Sequence, residues 1–498
     1  MNIHPSYAYP NGLNEGPPRP ALKWHWLGRA LLVLCAALLA LALAWLASNW
    51  HDAPALPRPA ELARPQPRLA AERNLAYALW GLNAAPERDP AVVGRALWLA
   101  NEAAAAQLLQ PHDAQQREAL FQAQAKTFAS LAGQGLKLPQ GAPWSCDERV
   151  ADCLKLSFEK SEALTLQRQT IAALGARCEA VVDALQPAKG LGFEEPLPTQ
   201  WHPTAPLAPL QNLHLCSLWL DTGAALAFRQ GRKDEAWRLM ARSSQFHRAL
   251  LAGAHSLIAQ TVVQRLWRRH LDMITALIAQ DPAWAAQALP LVQTVGAPEV
   301  QARRWIVFEA AFGQAALQDA HRPGAPAAER GLDLLDLLQR QGIGFHLNRT
   351  TQLMDQQWLT LLKAVDGGLP QTVAALRSGK LAVDPSPWRW WRNPMGRFTV
   401  ELTQPAYTGY LLRHLDLELH REAAALALNA QRPGIAPAAR AAWVASQTLS
   451  PSLRERLSWS PDGRTLSVRT WAADGRRAEP PLPLRDRIEI TLDRPVGG

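Results

Sequence analysis

The sequence predicts a mainly α-helical protein with one N-terminal transmembrane helix and a small antiparallel β element at the C-terminus. Three observations predict this fold class. Residues 30–50 form a charge-free apolar stretch, apolar residues recur at helical spacing over most of the remaining chain, and two short alternating runs flank a turn near the C-terminus. We expect the helices to form an irregular bundle or solenoid-like hairpins.

The apolar stretch within segment 23–50 predicts an uncleaved signal-anchor. It is longer than the apolar core of a secretory signal peptide, which has about 7–15 residues, and tryptophans stand at both of its ends. We expect the lipid bilayer to contact residues 25–50. Lys23 and Arg29 lie at the N-terminal end and the next basic residue is Arg58, so the N-terminus is predicted to be cytoplasmic. The bulk of the chain is then periplasmic, on a bacterial inner membrane.

Two segments rich in proline flank the anchor. Residues 1–22 combine proline with glycine and asparagine, and are predicted to form a disordered cytoplasmic tail. Residues 51–68 form a Pro-rich linker, which is expected to run extended. At about 3.1 Å per residue, it would hold the following domain up to about 50 Å from the bilayer.

Helical periodicity predicts a helical periplasmic domain over residues 69–386. Its clearest signal is region 211–280, where residues 213–253 predict a helix hairpin with a turn at 230–233. Within the hairpin, GRKDEAWRLM at 231–240 resembles a tetratricopeptide-type hairpin, although no regular 34-residue period follows. The pattern therefore predicts packed helix hairpins.

The region 387–498 is predicted to contain a long helix and the β element. The helix is expected over roughly 404–430. Two alternating runs then flank Ser460–Gly463, where proline fixes φ and glycine accepts a positive φ, and 485–493 is expected to add a third strand.

The cysteines predict disulfides and an oxidising compartment. Cys35 lies in the anchor, and the other four cluster downstream of it. Pairing the nearest cysteines closes the smallest loops, which favours Cys146 with Cys153 and then Cys178 with Cys216, although four cysteines allow three connectivities. The alternative is four buried free thiols in a reducing compartment. Their spacing is not typical of zinc sites.

Composition and motifs exclude several functions. The chain has a net charge of +9, but its arginines are scattered and form no dense basic block, so we expect no nucleic-acid partner. The sequence contains no GxSxG, HExxH, P-loop or dinucleotide fingerprint. It therefore predicts no catalytic residues, no cofactor and no metal site.

Some polar residues on the predicted helices are candidate site residues. On the 404–430 helix, His414 and Glu418 are four apart, as are Asp416 and His420, which would suit metal ligands or acid–base pairs. We expect solvated pairing on the helix face instead. Four further histidines stand singly on helical patterns and are expected in the core or on the surface: His247, His255, His270 and His346.

The densest aromatic and cationic cluster is a candidate interaction patch, formed by Trp388, Arg389, Trp390, Trp391 and Arg392. These side chains could rest on a membrane surface, or hold a glycan or a partner through stacking and cation–π contacts. The alternative, which we favour, is that they lock a loop onto the helices.

Four segments resemble a set of uncharacterised proteobacterial single-pass inner-membrane proteins with a large helical periplasmic region. They are ERNLAYALWGLNAAPERDPAVVGRAL at 72–97, WSCDERVADCL at 144–154, NPMGRF at 393–398 and RHLDLELHR at 413–421. The resemblance implies the location and carries no catalytic residues.

Two functions from different classes follow from these observations. The first is a non-catalytic, membrane-anchored envelope protein that presents its helical periplasmic domain to another envelope protein. The alternative is an envelope hydrolase or other enzyme whose site is assembled from distant residues. Convergent His, Asp or Glu side chains in a deep polar pocket would favour the enzyme, and a shallow apolar groove would favour the interaction protein.

Overall fold

The computed structural model describes residues 24–108, 110, 114–133, 161–185, 190–199, 201, 209–293, 297–320, 344–378, 381, 390–432, 435–475 and 486–492. As predicted, these residues are mainly helical, with one N-terminal apolar helix and a small antiparallel sheet near the C-terminus. The predictions for residues 1–22 and for Cys146 and Cys153 lie outside the described residues.

The first helix, α1 (Trp24–Ser48), is apolar and has exposed leucines along its length. Within the described part of the chain it is the one helix long and apolar enough to cross a membrane, over Gly28–Ser48. Those 21 residues span about 31 Å at about 1.5 Å per residue, close to the roughly 30 Å of a bilayer core. By length and composition, α1 fits either an anchor or a signal sequence.

The Pro-rich linker packs against the helical domain, so the prediction that it holds the domain away from the bilayer as a spacer is wrong. Leu62 is fully buried in the domain core. The carboxylate of Asp52 accepts hydrogen bonds from the backbone N–H groups of Asn348 at 2.7 Å and Arg349 at 3.2 Å, at the start of α12 (Leu347–Asp366). The proline content predicted the extended backbone. It did not reveal that Asp52 and Leu62, which lie between the prolines, contact the helical domain.

Five short or peripheral helices come after the linker: α2 (Ala76–Trp80), α3 (Pro90–Leu108), α4 (Ala114–Ala132), α5 (Ser161–Thr170) and α6 (Ala172–Asp183). Helices α2 and α3 pack with their backbones in direct contact. A Cβ atom added to Gly94 would lie 1.8 Å from the carbonyl oxygen of Tyr77, and one added to Gly81 would lie 1.9 Å from that of Pro90. Only glycine fits at this crossing.

The centre of the domain is formed by three long helices, α7 (Leu210–Arg229), α8 (Lys233–Gly253) and α9 (Leu257–Ile278). The predicted hairpin is confirmed by α7 and α8, which turn at Gly231 with a φ of 73°. Helix α9 begins after Ser256, whose hydroxyl accepts a hydrogen bond from the N–H of Ala259 and so caps the helix.

The remaining helices are α10 (Ala285–Ala288), α11 (Pro298–Ala320), α12, α13 (Leu369–Arg377), α14 (Pro394–Ala430), α15 (Arg440–Ala445) and α16 (Pro451–Arg456). The longest, α14, begins about ten residues before the predicted start near 404. Pro394 occupies its first turn, where a missing N–H costs no hydrogen bond, and Asn393 precedes it in the left-handed conformation at φ 56°.

Helix α14 joins two hydrophobic clusters. Its C-terminal half packs against α9, α10 and the sheet, and its middle packs against α11 and α12 around Trp305 and Trp358. The sheet has the order β1 (Leu457–Trp459), β2 (Thr465–Arg469) and β3 (Arg487–Thr491), with antiparallel pairing throughout. Leu466, Val468, Ile488 and Ile490 alternate inward on β2 and β3 and are buried in the first cluster.

Candidate functional site

A group of polar side chains meets inside the three central helices. Asp221 comes from α7, His247 from α8 and His270 from α9, and all three are fully buried. One oxygen or nitrogen from each lies within 4.8 Å of the others. Residues four apart lie on the same face of a helix. Ser217 therefore shares a face of α7 with Asp221, and Ser243 shares a face of α8 with His247, and both faces point inward.

Serine hydroxyls complete the hydrogen bonding of this group, which we call the Asp–His–His cluster. Nδ1 of His270 lies 2.9 Å from Oδ1 of Asp221, and its Nε2 lies 2.6 Å from the hydroxyl of Ser244. Nε2 of His247 lies 2.7 Å from the hydroxyl of Ser217, and its Nδ1 lies 2.7 Å from the backbone carbonyl of Ser243. Both ring nitrogens of each histidine therefore have a partner.

The two imidazole rings stack on each other. Their centroids are 4.8 Å apart with an angle of 22° between the planes, and Trp267 packs beside both rings. Arg269 supplies the compensating cation, because its Nε lies 3.5 Å from Oδ2 of Asp221 and it donates a hydrogen bond to the hydroxyl of Ser217 at 2.6 Å. The cluster thus pairs a buried carboxylate with a buried guanidinium.

The environment fixes the charges of Asp221 and His247. Burial alone would raise the pKa of Asp221, but the charge and hydrogen bond of His270, together with the charges of His247 and Arg269, hold it below the ordinary range. Burial lowers the pKa of His247 to about 3, against the opposing charge of Asp221. At neutral pH the carboxylate is therefore ionised, whereas His247 is neutral.

Two kinds of chemistry use residues of these types. One carboxylate and two imidazoles suit a transition metal such as zinc. A cation would have to displace the serine hydroxyls from the ring nitrogens and would lie near the Arg269 guanidinium, which disfavours it electrostatically. The residue types would suit a metal site. The hydrogen bonds to the ring nitrogens and the nearby Arg269 charge instead favour a hydrogen-bonded network without a metal.

The second chemistry is nucleophilic. Ser244, His270 and Asp221 are connected in the order of a serine hydrolase triad, with Oγ to Nε2 at 2.6 Å and Nδ1 to Oδ1 at 2.9 Å. However, all three residues have 0% of their surface exposed. A substrate cannot approach the Ser244 oxygen in this conformation, so the arrangement serves helix packing.

A second polar cluster joins the linker to the helices. Oε2 of Glu194 accepts hydrogen bonds from the N–H groups of Arg68 and Leu69, each at 2.8 Å, and Oε1 lies 2.9 Å from Nε2 of His255. Burial would raise the pKa of Glu194, but the hydrogen bonds from His255, Arg68 and Leu69 lower it to about 2. This ionised carboxylate therefore holds the end of the linker on the domain.

The neighbouring carboxylates hold the start of α9. Glu195 accepts hydrogen bonds from the N–H groups of His255 at 2.7 Å and Ser256 at 2.6 Å, and Glu309 accepts one from the N–H of Leu257 at 2.9 Å. These donors are the ones that a helix N-terminus leaves without intrahelical partners. Burial raises the pKa of Glu309 to about 7, with a further contribution from the charge of Glu195.

The structure joins Cys178 and Cys216 in a buried disulfide between α6 and α7, as predicted for this pair. Cys35 is a free cysteine on α1. A disulfide is typical of a compartment outside the cytoplasm.

The predicted pairs on α14 do not form as expected. His414, Asp416 and His420 are all buried, so the expected solvated pairing on the helix face is wrong. His414 lies 2.9 Å from the Gln264 amide and accepts a hydrogen bond from Trp305 at 3.1 Å, whereas Glu418 pairs with Arg421.

Asp416 and His420, the other predicted pair, also contact different residues and not each other. Asp416 accepts hydrogen bonds from the backbone N–H groups of Trp471 and Ala472, and His420 lies 2.9 Å from Asp272. Burial raises the pKa of Asp416 to about 6. The spacing on α14 predicted shared faces correctly, but each side chain takes its partner from another element.

The four histidines that stand singly in the sequence are all buried, in agreement with the expected core or surface positions, but the stacking of His247 on His270 and the contact of His255 with Glu194 were not predicted. The sequence did contain a signal. Ser217, Asp221, Ser243 and His247 are polar residues on the otherwise apolar inner faces of a predicted hairpin.

The candidate interaction patch lies beside the end of α1. Trp388 and Arg389 fall outside the described residues, and Trp390 and Arg392 are exposed. The backbone carbonyl of Trp391 accepts a hydrogen bond from the Asn49 side chain at 2.9 Å. The backbone of this segment therefore contacts the end of the apolar helix.

Comparison with known proteins does not assign the chain. No family model matches it, and no curated protein or solved structure is significantly similar to it.

Proposed function

We propose that this chain is a non-catalytic, membrane-anchored protein of the bacterial envelope, whose helical domain lies in the periplasm and binds another envelope protein. The observation that carries the non-catalytic assignment is the closure of the Asp–His–His cluster. Its three residues are fully buried, both ring nitrogens of each histidine have a hydrogen-bond partner, and the carboxylate of Asp221 is hydrogen-bonded to His270 and ion-paired with Arg269. Chemistry on an external substrate needs reacting groups that the substrate can contact.

Retention of α1 as the anchor is supported by the residues on its C-terminal side. Asn49 is 1% exposed and hydrogen-bonded to the domain, Asp52 caps α12, and Leu62 is buried in the core. These contacts join the residues that follow α1 to the helical domain. The basic residues near the N-terminal end of α1 favour a cytoplasmic N-terminus.

The periplasmic location is supported by the disulfide between Cys178 and Cys216. The resemblance to uncharacterised proteobacterial inner-membrane proteins points to the same compartment. Reporters fused after Gly498 test it: we expect activity from a reporter that works only in the periplasm. Activity only from a reporter that requires the cytoplasm would contradict the topology.

The protein partner is supported by an exposed apolar surface on α3 and α4. Val92 is 67% exposed and Leu99 is 52% exposed, and their seven-residue spacing places them on one face of α3. Phe121 on the adjacent α4 is 50% exposed. An exposed apolar helix face is typical of protein interfaces, so we expect the partner to present apolar side chains to this face of α3 and to Phe121 on α4.

Photo-crosslinking in the native host tests the interaction. Benzoylphenylalanine is placed at Leu99 or Phe121, with Lys363, an exposed residue on α12, as the control position. We expect a discrete adduct of higher mass at Leu99 and Phe121 and none at Lys363. Absence of an adduct at both apolar positions would contradict the assignment of this surface.

A second candidate function is an envelope hydrolase, favoured by the order Ser244, His270 and Asp221. A conformational change would have to expose Ser244. A fluorophosphonate probe applied to isolated membranes tests this candidate, with Ser244→Ala as the control. Labelling that disappears in Ser244→Ala would favour the hydrolase, and equal absence of labelling in both proteins would support the non-catalytic assignment.

A further inference from the structure

The C-terminal end of the tryptophan cluster is attached to the end of the apolar helix. Asn49, directly after α1, donates a side-chain hydrogen bond to the carbonyl of Trp391 at 2.9 Å and accepts one from the N–H of Asn393 at 2.8 Å. Asn49 is 1% exposed. The position of residues 390–393 is therefore tied to the depth at which α1 leaves the bilayer.

That depth is set by the length of the apolar span. Gly28–Ser48 has 21 residues, and its length of about 31 Å fills a hydrocarbon core of roughly 30 Å. The headgroup layers bring the whole bilayer to about 40–45 Å, which leaves roughly 5–8 Å on each side. Since Asn49 comes directly after Ser48, Trp391 and its neighbours lie at headgroup depth.

A second contact agrees with this placement. A Cβ atom added to Gly344 would lie 3.8 Å from the Trp45 ring, in the last turn of α1. Gly344 also accepts a backbone hydrogen bond from Met395 in the first turn of α14. Two separate parts of the domain therefore meet the same end of α1.

The side chains of this segment suit the membrane interface. Trp390 is 40% exposed and Arg392 is exposed, while Trp50, next to Asn49, is 67% exposed. The sequence 388–400 has three arginines and no acidic residue. Tryptophan is enriched at headgroup depth because its ring is amphipathic, and arginine forms strong hydrogen bonds with phosphate.

We propose that Trp390 and Arg392 form a phospholipid-binding surface that rests on the leaflet from which α1 emerges, with the indole among the headgroups and the guanidinium against their phosphates. This proposal rests on the proposed function through the retained anchor. Its consequence is that the domain is held against the bilayer at a second point beside α1, which limits its orientation.

Fluorescence quenching in nanodiscs tests the surface. The full chain is placed in nanodiscs of phosphatidylcholine and phosphatidylglycerol, in a background with Cys146→Ser and Cys153→Ser that keeps the Cys178–Cys216 disulfide. Three single-thiol proteins receive an NBD fluorophore: one retains the natural Cys35, and the other two carry Cys35→Ala with either Trp391→Cys, which keeps both Trp390 and Arg392, or Arg432→Cys.

Arg432 is the control position, because it is exposed and lies beyond the far end of α14, whose 37 residues extend about 55 Å from Asn393. Lipids with a nitroxide on the headgroup are expected to quench the label at 391 more than twice as strongly as the label at 432. Lipids with a nitroxide deep in the acyl chain are expected to quench the label at 35.

Equal headgroup quenching at 391 and 432, with strong acyl-chain quenching at 35, would overturn the surface and leave the anchor in place. Weak acyl-chain quenching at 35 would overturn both. Adding either Trp390→Ala or Arg392→Ala to the Trp391→Cys protein tests each side chain: we expect weaker headgroup quenching than with both side chains present, and an unchanged value would exclude a role for the side chain removed.

Discussion

The backbone N–H of Asn393 donates a hydrogen bond to the side-chain oxygen of Asn49 at 2.8 Å, which connects the end of the apolar helix to the start of the longest helix. Asn393 also accepts a hydrogen bond from the N–H of His346 and donates one to the hydroxyl of Thr350. Its left-handed conformation at φ 56° is one that asparagine tolerates better than most residues. One pair of asparagines thus fixes α1, α12 and α14 at a single junction.

Replacing Asn49 is expected to weaken this junction. Asn49→Ala leaves the Asn393 N–H and the Trp391 carbonyl without their side-chain partner, which costs about 1–3 kcal/mol for buried groups. Thermal unfolding of the full chain in detergent measures the loss. Asn429→Ala is the control, because the Asn429 side chain donates a hydrogen bond to the Ala425 carbonyl of its own helix and joins no second element. Similar melting temperatures for the two variants would contradict the role of Asn49.

The crossing of α2 and α3 should tolerate no side chain. In Gly94→Ala the added methyl group would lie 1.8 Å from the Tyr77 carbonyl oxygen, so the helices must separate. We expect a loss of about 3 kcal/mol or more in the free energy of unfolding. Gly409→Ala on α14 is the matched control, since its added methyl meets no atom within 4 Å and alanine favours a helix. Equal stability of the two variants would show that the helices do not pack this closely.

The disulfide between Cys178 and Cys216 should contribute strongly to stability. It closes a loop with a sequence separation of 38, for which chain entropy gives about 4 kcal/mol. The double variant Cys178→Ala and Cys216→Ala is expected to unfold at lower denaturant concentration. Peptide mapping without reductant checks the bond directly, and two alkylatable thiols at these positions in freshly isolated membranes would disprove it.

Glu309 should make stability fall as pH rises. Its pKa increases from 4.5 in the unfolded chain to about 7 in the fold, so the folded state binds more protons between these pH values. The contribution of Glu309 to stability is greatest below about pH 4.5 and is lost as pH rises through about 7, by up to about 3 kcal/mol. Glu309→Gln keeps an acceptor for the Leu257 N–H and removes the titration.

Denaturant unfolding at several pH values compares Glu309→Gln with the parent protein. The variant is expected to gain stability relative to the parent as pH rises across this window. A difference between the two proteins that does not change with pH would contradict the buried, protonated state of Glu309.

The sequence predicted the fold because its strongest signals are local. The uninterrupted apolar run predicted α1, helical periodicity predicted the α7–α8 hairpin, and Pro461 and Gly463 predicted the turn between β1 and β2. The start of α14 was predicted too late, because residues 394–403 lack a clear apolar period and the signal at Asn393–Pro394 is a tertiary junction. Sequence signals for helix ends depend on neighbouring residues, so they do not predict a junction between distant segments.

The candidate site was harder to predict because it is made by tertiary packing. Asp221 and His270 are 49 residues apart in sequence, and only the packing of α7 against α9 places them 2.9 Å apart. For the same reason, the contacts of the linker were not predicted. Its prolines predicted extended backbone correctly, but burial of Leu62 depends on a core formed by residues beyond 257.

The central claim, a polar cluster sealed inside the domain, is tested most directly by the titration of His247. The full chain in nanodiscs is labelled with ¹³C-histidine, and the His247 signal is assigned by its loss in His247→Gln. Burial lowers the pKa of His247 to about 3, so its chemical shift should remain constant between about pH 5 and 8. A His247 signal that titrates near the ordinary value of about 6.5 would show that water reaches the cluster, and would contradict the account.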